Sequence, residues 1–167
     1  HTQVVDVVHQ GSVVEAVIVA NKAGRGAIVP RMVIDCSGDG DVAFLAGAEF
    51  VLGDGKGMQY ASSMFRMLGV DVATFAGLTR EQATERLERA VADGHALTRT
   101  TVAPWTGPVP DVVHLNATKI TRPDGSPFNL ADPRELTAAE KEGRRQAYLY
   151  EEVMRQYLPG FAQGRIV

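Results

Sequence analysis

The residues best suited to contact a ligand lie between a short apolar run and a short helical pattern. They read Val33-Ile34-Asp35-Cys36-Ser37-Gly38-Asp39-Gly40-Asp41-Val42-Ala43. Small side chains in such a turn let a ligand approach the backbone, and the N–H groups at the start of a helix can face an anion. The turn is therefore the most informative candidate for a ligand contact in this sequence.

Three interpretations of the turn are open. Gly38, Gly40 and Ala43 have the spacing of the glycine-rich fingerprint that binds dinucleotides after a strand. That fingerprint opens a long helix and is followed, about 20 residues further on, by an acidic residue that ends a second strand, and this sequence shows no such strand. The second interpretation is a tight turn without a ligand. The third depends on a family resemblance described below.

Other reactive residue types are scattered along the chain. Cys36 is the single cysteine, which excludes a disulfide framework, and we interpret it as a small packing residue rather than a redox thiol. The four histidines show no metal-ligand spacing, so we predict no metal site. The sequence shows no nucleophile paired with a base, and it nominates no catalytic residue.

Several larger side chains could contact a substrate. Arg66 lies in an apolar stretch, where a charge must be paired or face a cleft, and an acidic substrate and a buried carboxylate are equal alternatives. Arg144 and Arg145 could bind an acidic group, although a solvated helix face is the simpler interpretation. Trp105 is expected to pin a proline-rich loop, and His114 to be a structural histidine.

The hydrophobic periodicity predicts a β-meander in residues 1–37. Its β-branched runs cover residues 4–8, 12–20 and 27–35. The end of the third run, Met32-Val33-Ile34, is typical of a strand buried on both faces of a parallel sheet.

Helices and strands alternate in the rest of the chain. The predicted elements are a short helix at 42–48, a loop at 52–57, strands at 59–68 and 112–120, and a proline-rich loop at 104–110. Capping boxes at Thr79-x-x-Gln82 and Thr137-x-x-Glu140 predict the starts of two longer helices. The spacing of apolar residues predicts a buried stripe on the second of them, formed by Ala147, Tyr150, Val153, Met154 and Tyr157. We therefore predict an α+β fold.

Charge and hydropathy exclude some partners. The chain has 17 Lys+Arg against 20 Asp+Glu, a net charge of -3, and so lacks the basic excess that nucleic-acid binding requires. No apolar run reaches the roughly 20 residues of a membrane helix. We predict neither a nucleic-acid nor a membrane partner, and a cytoplasmic location.

The order of these motifs resembles the FAD-dependent oxidoreductases with the glutathione-reductase-like FAD-binding fold. Family members carry VIDATGDGDVA at the turn, where this chain has Cys36 for Ala and Ser37 for Thr. The resemblance continues through Ala46-Gly47-Ala48, Leu52-Gly53-Asp54, Met64-Phe65-Arg66, Gly69-Val70-Asp71, Asn116-Ala117-Thr118-Lys119, the helix start Asp132-Pro133-x-x-Leu136-Thr137-x-x-Glu140-x-x-Gly143-Arg144-Arg145-Gln146, and Pro159-Gly160-Phe161. It covers nearly the whole chain.

This resemblance implies FAD as the cofactor, a small-molecule substrate, and transfer of a hydride or electrons between substrate and flavin. It implies cofactor contacts by the Val4 strand through backbone groups, by Cys36, Ser37 and Gly38 along the adenosine and pyrophosphate, and by Asp41 through a polar contact. Residues 1–50 would form part of the FAD-binding domain: the meander, the last strand of an FAD-binding α/β sheet, and the flavin turn. Residues 51–167 would form a mixed helix and strand substrate-side domain, incomplete at its C-terminus.

Family members hold the pyrophosphate with a GxGxxG loop in an N-terminal βαβ unit, which this sequence does not contain. We therefore expect a central fragment that binds FAD weakly by itself and whose partner is the missing N-terminal half. An unpaired apolar edge at residues 32–34 would favour self-association. The alternative is a non-catalytic globular interaction module without a cofactor. An upstream GxGxxG followed by an acidic residue would favour the oxidoreductase.

Overall fold

A computed structural model describes residues 1–53 and 57–167 of the chain. The chain divides into two compact units, His1–Gly55 and Lys56–Val167. The loop predicted at residues 52–57, including Asp54 of the family resemblance, lies partly outside the described residues. Each helix in the described ranges is too short or too polar to cross a lipid bilayer.

In its described part, residues 1–53, the first unit is a three-stranded antiparallel meander with one short helix. Its strands β1, β2 and β3 cover Gln3–Gln10, Val13–Asn21 and Gly24–Ile28, and helix α1 covers Asp41–Leu45. Val7 and Val17 pair across β1 and β2 and are both buried. Because alternate residues of a strand share a face, these valines mark the packed side of the meander. The predicted meander and short helix are confirmed.

The predicted third β run ends earlier than expected. Strand structure stops at Ile28, and residues 29–35 form no strand. Met32 and Ile34 are 80% and 79% exposed. The prediction of a buried strand here is wrong for this chain, because an apolar segment forms a buried strand only when neighbouring strands pair with it. Among the described residues, no strand pairs with this segment.

Across residues 57–167, the second unit contains a four-stranded antiparallel sheet and three helices. Its strands β4, β5, β6 and β7 cover Phe65–Leu68, Ala103–Thr106, Val112–Asn116 and Arg165–Ile166. Its helices α2, α3 and α4 cover Val72–Ala76, Arg80–Ala92 and Pro133–Tyr157. The strand order is β5-β6-β4-β7, and every neighbouring pair is antiparallel. With the meander of the first unit, this confirms the predicted α+β class.

The core of the second unit combines residues of its strands, α3 and α4. Fully buried members are Met67, Leu87, Val113, Leu115, Tyr150, Val153, Met154 and Phe161. Burying one large apolar side chain contributes roughly 1.5–3 kcal/mol, so this cluster is the main source of stability in the unit. Tyr150, Val153 and Met154 follow the helical spacing that predicted an apolar stripe on α4.

The two long helices begin differently. The Thr79 hydroxyl accepts a hydrogen bond from Gln82 N at 3.2 Å, and Gln82 Oε1 accepts one from Thr79 N at 3.0 Å, so the predicted capping box of α3 is confirmed. Helix α4 begins at Pro133, and the Asp132 carboxylate accepts from two backbone N–H groups of its first turn at 2.7 and 3.4 Å. The capping box predicted at Thr137 is wrong, since the upstream Asp-Pro pair supplies a better start.

The proline-rich segment is also more regular than predicted. Its first part is strand β5, which pairs with β6 at the edge of the sheet. Pro104 is tolerated there because an edge strand needs hydrogen bonds on one side only. Trp105 stacks on His114 of β6 with ring centroids 5.5 Å apart, and this contact holds the segment against the sheet.

Candidate functional site

The turn before α1 is organised by the carboxylate of Asp35. Its Oδ1 accepts hydrogen bonds from Ser37 N at 2.9 Å and Ser37 Oγ at 2.6 Å, and its Oδ2 accepts one from Ala43 N at 2.9 Å. The Ser37 hydroxyl in turn accepts a hydrogen bond from Asp41 N at 2.8 Å. Two side chains thus supply the capping that the N-cap residue, Gly40, lacks.

These donors keep Asp35 ionised. The Ser37 hydroxyl, followed by the backbone N–H groups of Ala43 and Ser37, lowers the pKa of the Asp35 carboxyl to about 2. The carboxylate therefore occupies the positive end of α1 at every physiological pH. The expectation that this helix start is open to an anion is wrong for the N–H groups of Asp41 and Ala43, because Ser37 and Asp35 already accept hydrogen bonds from them.

The outer backbone of the turn is open. Gly38 and Gly40 have φ values of 97° and 75°, a region that side chains rarely adopt. A Cβ built on either glycine would meet no atom within 4 Å. Glycine is therefore required here by backbone conformation rather than by internal crowding, and another molecule can reach the backbone of the turn.

The sequence-predicted cofactor contacts lie in the first unit. Cys36, Ser37, Gly38 and Asp41 share the turn and are exposed, and the Cys36 thiol is free. Val4 is half-buried on β1, against which α1 packs. The structure brings the first four residues together and places Val4 on a separate strand.

Sequence reasoning missed Asp35 as the residue that shapes the site. Its signal was available, because an aspartate often accepts hydrogen bonds from the backbone two residues further on. The Ser37 N to Asp35 Oδ1 bond has this spacing.

The turn is strongly acidic. It contains Asp35, Asp39 and Asp41, and residues 32–48 contain neither Lys nor Arg. Like charges repel, so the side chains of this turn disfavour a phosphate and suit a ligand that donates hydrogen bonds, such as a sugar hydroxyl. Within the described ranges, no three His, Cys, Asp or Glu residues are arranged to hold a metal ion.

The arginines considered from the sequence lie on the surface of the second unit. Arg66 is exposed, because the alternation of β4 places its neighbour Met67 in the core, so the prediction of a paired or cleft-facing charge is wrong. Arg144 and Arg145 form ion pairs of 2.6 Å with Glu140 and Glu142 on the same helix. This finding supports the interpretation of a solvated helix face.

Comparison with known proteins identifies the protein family to which the chain belongs. The family model described as FAD dependent oxidoreductase matches residues 1–167, the whole chain. The chain therefore belongs to the FAD-dependent oxidoreductase family, whose cofactor is FAD and whose substrates are small molecules. Neither the curated proteins nor the solved structures contain a match to this chain.

The turn fits one part of FAD and not another. Its open glycine backbone admits close approach, and its carboxylates can accept hydrogen bonds from the hydroxyl-bearing parts of the cofactor. The negative charges of Asp35, Asp39 and Asp41 do not favour contact with the pyrophosphate.

Proposed function

We propose that the protein is part of an FAD-dependent oxidoreductase that transfers a hydride or electrons between a small-molecule substrate and the flavin. Bound FAD supplies the redox chemistry, and the chain supplies binding and orientation. The observation that carries the proposal is the turn at Gly38 and Gly40, where both glycines have positive φ and leave room for a ligand beside the backbone, and which is braced by the hydrogen bonds of Asp35.

Each predicted contact has a role in this proposal. Cys36, Ser37 and Gly38 lie along the adenosine side of FAD, where small side chains permit backbone contact. The Asp41 carboxylate accepts a hydrogen bond from a ribose hydroxyl, the interaction that acidic residues make in dinucleotide sites. The backbone of β1 at Val4 contacts the adenine. Because the turn is acidic, the pyrophosphate is assigned to a glycine-rich loop in an N-terminal half that pairs with this chain.

The two units have different roles in this proposal. Residues 1–50 contribute to FAD binding and residues 51–167 face the substrate. The exposed Met32 and Ile34 support docking of the N-terminal half, whose sheet would cover them, or self-association when that half is absent. We place the protein in the cytoplasm, on the single cysteine and the lack of a disulfide framework.

A matched pair of glycine substitutions tests the role of the turn. Gly38 and Gly24 have similar φ values of 97° and 112°, and a Cβ on either would meet no atom within 4 Å. Alanine therefore imposes similar backbone strain at both sites, but only Gly38 lies in the turn. In the full-length protein, Gly38→Ala is expected to lower FAD content, measured by flavin absorbance, and Gly24→Ala to leave it unchanged. Equal FAD contents in both variants would show that the turn does not contact the cofactor.

Intact mass and the visible spectrum of the protein from its source test the broader proposal. A polypeptide heavier than 18.0 kDa with flavin absorbance supports a flavoenzyme of which this chain is the middle part. A heavier polypeptide without flavin absorbance contradicts it and favours the non-catalytic interaction module. A colourless chain of 18.0 kDa would mean only that this piece does no redox chemistry by itself.

A further inference from the structure

A polar cavity of about 340 Å³ opens in the second unit and includes residues around the end of β6. Tyr60, Ser62, Arg99, Asn116 and Lys119 are among its lining residues. Its volume is within the range of pockets that hold small molecules. None of these residues takes part in the turn of the first unit.

Two cations line this cavity without an acidic partner. Arg99 Nη1 donates a long hydrogen bond of 3.4 Å to Asn116 Oδ1, and Lys119 Nζ lies 4.0 Å from the centroid of the Tyr60 ring. In the described part of the chain neither cation forms an ion pair, and no lining residue is Asp or Glu. A half-buried positive charge without a counter-ion attracts an anion.

The acceptor atoms of the neutral polar side chains in this cavity are largely occupied by hydrogen bonds within the protein, so mainly donors remain for a ligand. The Ser62 hydroxyl lies 2.6 Å from Thr118 O and 2.8 Å from Asn116 Oδ1, and it donates to one of these acceptors. Thr118 Oγ1 accepts from Ser63 N at 2.8 Å. The Asn116 side-chain nitrogen has no partner among the described residues. The guanidinium, the ammonium and this amide, with the side-chain amide of Gln59, are therefore the groups left to bind a ligand.

Buried residues of α4 hold the backbones of both cations. Tyr150 and Gln146 are 0% and 1% exposed, and they lie one helical turn apart. The Tyr150 hydroxyl bonds to Arg99 N and O, and the Gln146 amide bonds to Lys119 N and O. Backbone positions fixed in this way lower the entropy lost when a ligand is bound.

We propose that this cavity binds the carboxylate of a small organic acid, with Arg99 and Lys119 as its ligands. The planar guanidinium matches the two oxygens of a carboxylate, and Lys119 adds a second positive charge. The inference rests on the proposed function only in making this acid the substrate of the oxidoreductase, because anion binding itself requires no flavin.

Calorimetric titration of the purified protein with acetate, succinate, citrate and inorganic phosphate tests the site. We expect saturable binding of at least one carboxylate, and we expect Arg99→Gln and Lys119→Gln each to weaken it by about tenfold, the effect of losing one charge-assisted hydrogen bond. Lys141→Gln is the matched control, since Lys141 is exposed on α4 and its substitution changes the net charge equally. Its affinity should stay within about twofold of the unmodified protein, as expected for a surface charge.

Three results would overturn the proposal: no carboxylate binds, phosphate alone binds, or Arg99→Gln binds as the unmodified protein does. Circular dichroism of each variant identifies any that fails to fold, and Lys119→Gln tests the site independently of Arg99.

The FAD content of the full-length protein, measured in parallel, separates this inference from the proposed function. A full-length protein that binds a carboxylate but no flavin would keep the anion site and contradict the oxidoreductase. A protein that binds flavin but no carboxylate would support the oxidoreductase and contradict the anion site.

Discussion

The hydroxyl of Tyr150 holds the backbone of Arg99 on both sides, accepting a hydrogen bond from Arg99 N at 3.0 Å and donating one to Arg99 O at 2.5 Å. Gln146 repeats the arrangement with Lys119, whose N and O bond to its side chain at 3.2 and 3.1 Å. A helix buried on one face thus positions two cations from separate connections of the chain. Loss of these hydrogen bonds is therefore expected to lower the stability of the unit and also to displace the two positive charges that line the cavity.

Substituting Tyr150 tests this coupling. Tyr150→Phe retains the ring but removes the partner of two half-buried backbone groups of Arg99, which costs about 1–3 kcal/mol. We expect a lower free energy of unfolding in urea and weaker carboxylate binding, although both cations are still present. Tyr148→Phe is the control, because Tyr148 lies on the same helix and is 65% exposed. Unchanged stability and binding in Tyr150→Phe would show that the hydroxyl does not position Arg99.

Gly143 allows α4 to approach the segment that leads into β4. A Cβ at this position would lie 2.1 Å from Ser63 Oγ and 2.9 Å from Ile120 Cδ1. Gly143→Ala gains about 1 kcal/mol of helix propensity but incurs an overpacking cost of up to about 3 kcal/mol, so we expect a net loss near 2 kcal/mol in urea unfolding.

A second substitution identifies the cause of that loss. Ser63→Ala removes the oxygen that gives the shortest contact, so the double variant with Gly143→Ala should recover part of the lost stability. A single Gly143→Ala variant that is more stable than the unmodified protein would mean that helix propensity outweighs the contact.

Residues close in the chain were predicted better than residues brought together by the fold. The capping box at Thr79 and the apolar stripe at Tyr150 depend on neighbours within four residues, and both were recognised from spacing. The strand expected at Met32 and Ile34 depends on partner strands, which hydrophobicity alone does not supply. The apolar residues therefore predicted a segment that could form a strand, but they did not show whether a neighbouring strand is present to pair with it.

The candidate sites show the same limit. The turn at Cys36 and Gly38 was located because its residues are consecutive. The bond from Ser37 N to Asp35 has a spacing that the sequence could have indicated, whereas the bond from Ala43 N spans eight residues and depends on the fold of the turn. Arg99 gave no signal, and Lys119 was noted only within the family resemblance, since both lie in irregular segments that hydrogen bonds to α4 bring to one place.

Asp35 is predicted to titrate well below its ordinary range. Hydrogen bonds from the Ser37 hydroxyl and the Ala43 N–H hold the pKa of this carboxyl at about 2, against 3.8 for an unperturbed aspartate. A depressed pKa contributes stability that is fully present above about pH 4 and is lost as the pH falls toward 2. Carboxyl ¹³C NMR should place the midpoint near 2.

The variant Ser37→Ala checks the cause of that shift. It removes the largest contribution, so the pKa of Asp35 should rise toward 3.8. A midpoint near 3.8 in the unmodified protein would contradict the hydrogen-bonded turn.

Two threonines of similar sequence context are predicted to differ in their effect on stability. Thr79 accepts a hydrogen bond from Gln82 N and caps α3, so Thr79→Ala should cost about 1 kcal/mol of unfolding free energy. Thr137 lies inside α4, where its hydroxyl donates to Pro133 O at 2.8 Å and caps nothing. Thr137→Ala replaces a poor helix former with the best one and should be neutral or stabilising by up to about 0.7 kcal/mol.

The same urea titration measures both variants, and Asp132→Ala supplies the positive control for α4. That substitution removes the acceptor of the first-turn N–H groups and should destabilise by about 1 kcal/mol. Equal losses in Thr79→Ala and Thr137→Ala would mean that α4 begins at the threonine after all. If only Thr79→Ala and Asp132→Ala lose stability, then Asp132 is the N-cap of α4. The first side chain able to accept from the free N–H groups would then set the start of the helix, and the capping motif at Thr137 would have no part in it.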